Sequence, residues 1–147
     1  MEWLGRGPHE NYIDRNTSSY VGLYKGSVAD QYFPYDRPQE NGNKTEVRWM
    51  SLTDTAGQGL MAYLFPTEDL DEPGLRKSQR HLSDIQFKDM VTWNIDLKQM
   101  GVGGDTSWGA YPHQPYLIPA ERMSFSFRFC PVKQHGVSGN RQYLNFK

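Results

Sequence analysis

The sequence predicts an all-β fold, an antiparallel β-sandwich, from three features. Aromatic residues, which favour strands, make up 14% of the 147 residues. Apolar and polar residues alternate over several short stretches, as in strands that have one buried face. Glycine, proline and asparagine turns separate these stretches, and helix-like sequence is almost absent. A chain of this length fits one domain with a real core.

The first part of the chain predicts little regular structure. Residues 3–12 open on an apolar pair and then enter a region of glycine and proline turns. Residues 14–26 have no clear period, which predicts irregular backbone with at most one short strand. Residues 32–42 contain too many prolines for a central strand and end in Asn41-Gly42, a pair that favours tight turns.

The middle of the chain predicts a β-hairpin. Residues 44–52 predict a strand with both faces covered, and residues 60–65 predict the returning strand after a turn at residues 54–59. The two predicted faces of the first strand are Val47 with Trp49, and Met50 with Leu52.

Weaker signals lie on either side of the later strands. Residues 67–77 resemble a single helical turn interrupted by Pro73. Residues 78–82 predict an edge strand, and residues 84–89 predict a connector. The prolines in residues 111–116 predict extended backbone there.

Two segments show the alternation of a strand most plainly. Residues 91–98 and residues 123–130 each place every second side chain on one apolar face. Those faces consist of Val91, Trp93, Ile95 and Leu97 in the first segment, and of Met123, Phe125, Phe127 and Phe129 in the second.

A glycine-rich loop, residues 100–108, follows the first of these segments and ends in Trp108. Glycines allow positive φ and close approach to a ligand or a neighbouring chain. An indole on such a loop can stack on a sugar ring while its N–H donates a hydrogen bond, which suggests a carbohydrate contact. The alternative is that Trp108 fills a core or a subunit interface, and the usual burial of tryptophan favours that alternative.

Composition and charge exclude several classes of function. The formal net charge is −1 without a concentrated basic stripe, so nothing predicts a nucleic-acid partner. The single Cys130 excludes an internal disulfide and a cysteine-based zinc site, and it leaves both a cytoplasmic and a periplasmic location open. No apolar run could span a bilayer and no signal peptide is evident, so we expect no membrane partner. Structured-looking sequence begins almost at once, which suggests a piece of a longer protein.

The titratable residues form no self-contained catalytic or metal-binding set. His9 and Glu10 could act as an acid/base pair, but neighbours on extended chain point to opposite sides, which favours structural hydrogen bonding. The acidic cluster of Asp69, Asp71 and Glu72 leaves a calcium contact open, although it lacks the pattern of an EF-hand. We therefore predict no catalytic residue and no metal ligand in this chain.

Motifs in a definite order carry a family resemblance. Residues 3–15 read W-L-G-R-G-P-H-E-N-Y-I-D-R, and residues 32–42 contain Y-x-P-Y-x-x-P-Q-E-N-G. Arg80-His81-Leu82, Trp93-Asn94-Ile95-Asp96 and the M-G-V-G-G-D-x-S-W of residues 100–108 follow. Together they resemble the C-terminal domain of large β-galactosidases of glycoside hydrolase family 2, over about residues 3–133.

The resemblance implies a fold and a division of labour. The fold would be a galactose-mutarotase-like supersandwich, with residues 1–133 as its C-terminal half and residues 134–147 as a tail, linker or edge strand. In that family two glutamates of a (β/α)₈ barrel domain, which these residues do not include, carry out retaining hydrolysis. Family members often use Mg²⁺ and Na⁺ in the barrel, so no cofactor is expected in this chain. The sequence departs from the family at residues 54–57 and after residue 133.

The resemblance also assigns a role to Trp108. It aligns with the aromatic residue that reaches the rim of the barrel's active site and stacks on the aglycone sugar of the substrate. Gly103, Gly104 and Asp105 would shape the loop that holds it. In the complete enzyme this role takes precedence over the interpretation of Trp108 as a core residue.

The expected function is therefore that of a C-terminal domain fragment of a β-galactosidase that hydrolyses terminal β-D-galactosides. The chain alone should be inactive, and its partners would be the β-galactoside substrate, the remaining domains of the enzyme and further copies in a homo-oligomer. A stand-alone carbohydrate-binding module and an aldose 1-epimerase-like domain are the alternatives. With half of a sandwich missing, the phenylalanine face of residues 123–130 should be poorly covered.

Overall fold

The computed structural model describes residues 1–36, 41–63, 91–106 and 108–133. Within them, a five-stranded antiparallel sheet has the strand order β2-β1-β3-β4-β5. The strands are β1 (Glu2–Gly7), β2 (Tyr20–Lys25), β3 (Trp49–Thr53), β4 (Gln58–Tyr63) and β5 (Arg128–Lys133). Short 3-10 turns at Ala29–Gln31 and Gln114–Tyr116 are the helical segments of this part of the chain, and neither could cross a membrane. The predicted all-β, antiparallel fold is confirmed, as one sheet of the kind that forms half of a sandwich.

Strand β1 lies inside the sheet, where the sequence predicted turns. It pairs with β2 from Glu2↔Lys25 to Gly7↔Tyr20 and with β3 on its other side. Its glycines permit close approach, because a Cβ on Gly5 would lie 2.9 Å from the Cα of Val47. The turn prediction for this segment was wrong because glycine here makes room for neighbours and does not bend the chain.

The predicted hairpin is confirmed as β3 and β4, in the register Trp49↔Tyr63 to Thr53↔Gly59. The strand begins at Trp49, later than predicted, because Glu46 has a φ of +52° and interrupts the extended chain. Val47 therefore does not share a face with Trp49, and that assignment was wrong. Coverage of both faces of the strand is confirmed, since Trp49 and Met50 are both buried.

The apolar core consists of two clusters, one on each face of the sheet. The first contains Trp3, Val47, Met50 and Ala62, with Met1, Tyr24, Trp93 and Ile95 packed against it. The second contains Trp49 and Met61, with Leu4, Cys130 and Val132 packed against it. Cys130 is a free thiol, in agreement with the predicted absence of a disulfide.

Residues 91–98 do not form the predicted strand. Trp93 and Ile95 pack against the first cluster, so these two side chains face the core as the alternation predicted. The segment lies over a face of the sheet, where its backbone cannot join the ladder of hydrogen bonds in the sheet plane. Alternation in this segment indicated the inward side of Trp93 and Ile95, although Val91 is exposed, and it did not indicate how the backbone is paired.

The predicted strand at residues 123–130 begins only at Arg128 and continues through Pro131 to Lys133. Proline is tolerated because β5 is an edge strand of the described sheet, where one side of the backbone pairs with no other described strand. Phe125, Phe127 and Phe129 are 38%, 46% and 49% exposed and contact one another, with ring centroids 5.8 and 5.3 Å apart. The expectation of a poorly covered phenylalanine face is confirmed.

Several predictions concern other segments. Residues 111–116 contain a 3-10 turn at Gln114–Tyr116, so the prediction of extended backbone was wrong there. The helical turn at 67–77, the strand at 78–82, the connector at 84–89 and the tail at 134–147 lie outside the described residues.

Met61→Ala should lower the free energy of unfolding by about 2 to 5 kcal/mol, because the side chain is fully buried against Trp49 and a cavity would remain. Leu60→Ala is the matched control, since Leu60 is the neighbouring residue of β4 and its side chain is 46% exposed, so its truncation should cost less than about 1 kcal/mol. Urea unfolding of both variants measures the difference, and equal losses would contradict the assigned core.

Candidate functional site

Trp108 projects from the glycine-rich loop and is 92% exposed. Its backbone N–H donates to the Thr106 hydroxyl at 3.3 Å, and Gly109 follows with a φ of +92°. The interpretation of Trp108 as a core residue is wrong for this chain. Both the face of the indole ring and its N–H are available to a ligand or to another part of a larger protein.

The base of the loop is held at Gly101, which is buried. Its N–H donates to the carbonyl oxygen of Tyr116 at 2.8 Å. A Cβ at this position would lie 2.7 Å from the Oδ2 atom of Asp14 and 2.9 Å from the Cβ of Tyr116. Real Cβ atoms do not approach so closely, so only glycine fits between these two residues.

The three residues predicted to support the loop each make a contact. The Gly103 N–H donates to Asp14 Oδ2 at 2.9 Å. A Cβ on Gly104 would lie 2.2 Å from the carbonyl oxygen of Ala110, so the two arms of the loop meet there. Asp105 Oδ1 lies 2.7 Å from His113 Nε2, and both side chains are exposed, so this pair contributes little free energy. Their supporting role stays a prediction that these contacts favour.

Tyr111, shortly after the glycine-rich loop, is a second exposed aromatic residue, at 78% exposure. The sequence pattern did not indicate a role for Tyr111, although Tyr111 follows Trp108 after two small residues. Two exposed aromatic rings suit stacking on sugar faces.

His9 and Glu10 make structural hydrogen bonds, as their spacing favoured. His9 Nε2 lies 3.1 and 3.0 Å from the hydroxyl groups of Ser18 and Ser19. Glu10 is buried, and its Oε2 atom accepts a hydrogen bond from the Gly42 N–H at 2.9 Å. None of the contacts described for His9 and Glu10 involves the loop that carries Trp108. This arrangement gives no support to epimerase chemistry.

Metal binding finds no support in the described part of the chain. Among those residues, no group of three histidine, cysteine, aspartate or glutamate side chains could hold an ion. Asp69, Asp71 and Glu72, for which a calcium contact was left open, lie outside the described residues.

A cleft of about 270 Å³ lies beside the first core cluster. Its lining includes Tyr32, Asn43, Lys44 and Trp93. Lys44 is buried, its Nζ atom lies 5.1 Å from the centroid of a Trp3 ring, and it has no hydrogen-bond partner among the described residues. Burial lowers the pKa of Lys44 to about 8, against the opposing effect of the Glu10 carboxylate. Nothing in the local sequence indicated a buried lysine here.

Comparison with known proteins identifies relatives over most of the chain. A family model described as beta galactosidase small chain matches residues 1–129. The chain is 45% identical over 126 residues to a beta-galactosidase of Priestia megaterium, with 83% of this chain and 12% of that protein covered. It is 38% identical over 125 residues to a beta-galactosidase of Lactobacillus delbrueckii subsp. bulgaricus, with 82% of this chain and 12% of that protein covered.

A third relative gives the same proportions. The chain is 36% identical over 133 residues to a beta-galactosidase of Halalkalibacterium halodurans, covering 86% of this chain and 13% of that protein. The chain therefore spans only 12 to 13% of the length of the curated relatives it matches.

Lys44→Met should raise the free energy of unfolding at pH 7 by about 1 to 3 kcal/mol, because folding then no longer buries a charge that lacks a hydrogen-bond partner. The pKa of Lys44 is about 8 in the folded chain and 10.5 ordinarily, so the wild-type chain should gain stability as pH rises between those values. The advantage of the variant should disappear over the same interval.

Lys25→Met on the edge strand β2 is the control, since Lys25 is exposed and its removal should have little effect at either pH. Urea unfolding at pH 7 and at pH 10.5 measures both variants. Parallel pH profiles for Lys44→Met and the wild type would contradict the assignment of a buried charge.

Proposed function

Because the chain belongs to the β-galactosidase small-chain family, we propose that it is the C-terminal part of a retaining β-galactosidase of glycoside hydrolase family 2. The complete enzyme would hydrolyse terminal β-D-galactosides such as lactose. This chain would supply part of the architecture and one contact to the aglycone, the group that leaves when the galactoside is cleaved.

The exposure of Trp108 is the observation that carries this proposal. A tryptophan left 92% exposed forfeits the free energy that burial would give, which is unusual unless the side chain meets a partner. Its loop is attached at Gly101 and Gly103, so the ring is presented from a defined support. We assign the indole face to the aglycone sugar, with the indole N–H as a donor to a sugar hydroxyl.

Catalysis would take place in the other domains of the enzyme. A retaining glycosidase needs two carboxyl groups about 5 Å apart across the scissile bond. Glu10 is buried in a hydrogen-bonded turn, which disfavours it for either role. The nucleophile, the acid/base, and the Mg²⁺ and Na⁺ that such enzymes often use would belong to the barrel domain. The chain alone should therefore be inactive.

The surface of the chain suits a larger assembly. The exposed Phe125, Phe127 and Phe129 form an apolar patch at the start of the edge strand β5. The remaining half of a supersandwich would cover such a face, and further copies of the enzyme in a homo-oligomer would be additional partners. A stand-alone carbohydrate-binding module is less favoured, because stacking on Trp108 alone would give only about 1 to 2 kcal/mol before the cost of association.

Trp108→Ala in the complete enzyme should reduce kcat/KM for lactose about ten-fold, the loss of one stacking contact, while an aryl β-galactoside is cleaved within about two-fold of the wild-type rate. Tyr20→Ala is the matched control, because Tyr20 is another largely exposed aromatic residue, at 76%, on the edge strand β2. Steady-state kinetics with both substrates measures the selectivity.

Two results would contradict the proposal. Unchanged lactose kinetics in Trp108→Ala would mean that the ring does not contact the aglycone. Hydrolysis of lactose or of an aryl galactoside by the purified 147-residue chain would show that catalytic groups lie within it, and the division of labour would be wrong.

A further inference from the structure

We propose that Asp14 is a positioning residue for Trp108, acting through the base of the glycine-rich loop. The carboxylate would fix the backbone at Gly101 and Gly103 and thereby set where the indole ring stands relative to the sugar. The inference deepens the proposed function and rests on it, since the effect on substrate passes through Trp108.

The contact joins two parts of the chain that are remote in sequence. The Gly103 N–H donates to Asp14 Oδ2 at 2.9 Å across 89 positions. A hydrogen bond from an N–H to an ionised carboxylate is about twice as strong as one between neutral groups. A single side chain from the N-terminal motif therefore holds the loop that carries Trp108.

Asp14 itself stands on a rigid support. The backbones of Tyr12 and Arg15 exchange two hydrogen bonds, of 3.1 and 2.9 Å, so Asp14 lies in a closed turn between them. Tyr12 is buried, and its hydroxyl donates to Glu10 at 3.2 Å. The turn cannot shift without breaking these contacts, and the carboxylate is fixed with it.

The same Oδ2 atom lies so close to Gly101 that there is no room for a side chain at that position. A Cβ on Gly101 would lie 2.7 Å from it, and the Gly101 N–H is already bound to the Tyr116 carbonyl at 2.8 Å. The loop is thus attached on one side by Tyr116 and on the other by Asp14. The remaining side-chain pair, Asp105 with His113, is exposed and too weak to hold the loop alone.

The second carboxylate oxygen shows that this placement has a cost. Asp14 Oδ1 is buried and has no hydrogen-bond partner among the described residues. An unsatisfied buried acceptor lowers stability, so its presence calls for an explanation. On this proposal, the loss of stability is offset because the glycines of the loop and Trp108 are held in one position.

The test uses the complete enzyme with Asp14→Ala, Trp108→Ala and the double variant. Asp14→Ala should lower kcat/KM for lactose several-fold, up to the roughly ten-fold loss of Trp108→Ala, because a misplaced contact loses most of its value. Cleavage of an aryl β-galactoside should stay within about two-fold. In the double variant Asp14→Ala should add nothing, because both substitutions remove the same contact.

Two further variants separate positioning from general stability. Asp14→Asn keeps an oxygen that can accept from the Gly103 N–H, so it should restore much of the lactose activity. Asp30→Ala is the matched control, because Asp30 Oδ2 likewise accepts a backbone N–H, that of Ser27 at 3.0 Å, in an exposed turn. Asp30→Ala should leave the selectivity between the two substrates unchanged.

Hydrogen exchange of the loop gives a readout that is independent of kinetics. Amides of residues 101–104 should exchange faster in Asp14→Ala and not in Asp30→Ala. Unchanged exchange of these amides in Asp14→Ala would overturn the role of Asp14. So would a loss of activity in Asp14→Ala that is the same with both substrates and the same whether or not Trp108 is present. Faster exchange in Asp14→Ala, together with normal lactose kinetics in Trp108→Ala, would support Asp14 as the anchor of the loop. The same result would reject the proposed function of Trp108.

Discussion

The buried side chain of Asn11 is the constraint on which the rest of this structure depends. Its Oδ1 atom accepts a hydrogen bond from the Thr45 N–H at 2.9 Å, and its Nδ2 donates to the His9 carbonyl at 3.1 Å. The backbone of Asn11 bonds in turn to Asn43. Buried backbone groups need partners, and this one amide supplies them where the chain leaves the sheet. The turn that carries Asp14 follows directly in the chain, so its position depends on these hydrogen bonds of Asn11.

The four tryptophans differ in burial: three belong to the packed core or cover it, and one is exposed on a loop. Trp3 and Trp49 are 1% and 0% exposed and form the centres of the two core clusters, on opposite faces of neighbouring strands. Trp93 covers the first cluster from outside the sheet. Trp108 takes no part in either cluster. A sheet held from both faces can carry one exposed ring on a loop without losing its own stability.

Much of the fold followed from pattern alone, and two of the errors share one cause. The β3–β4 hairpin and the all-β class were predicted, because alternation and turn residues are local signals. Strand β1 was missed because its glycines serve Val47 and Tyr24, which are remote in sequence. Residues 91–98 alternate like a strand but pack over the sheet. Periodicity indicates which side chains can share one face, whereas strand pairing depends on which segment of the chain lies alongside.

For the candidate site, the sequence by itself indicated the family and the glycine-rich loop, and it predicted Trp108 as the contact residue. These follow from residue types in contiguous motifs, which are recognisable in the sequence without knowledge of the fold. Only the tertiary structure decided that Trp108 is exposed, that Lys44 is buried, and that Asp14 holds Gly103. Burial and long-range hydrogen bonds are properties of neighbours brought together by folding, so no local stretch of sequence records them.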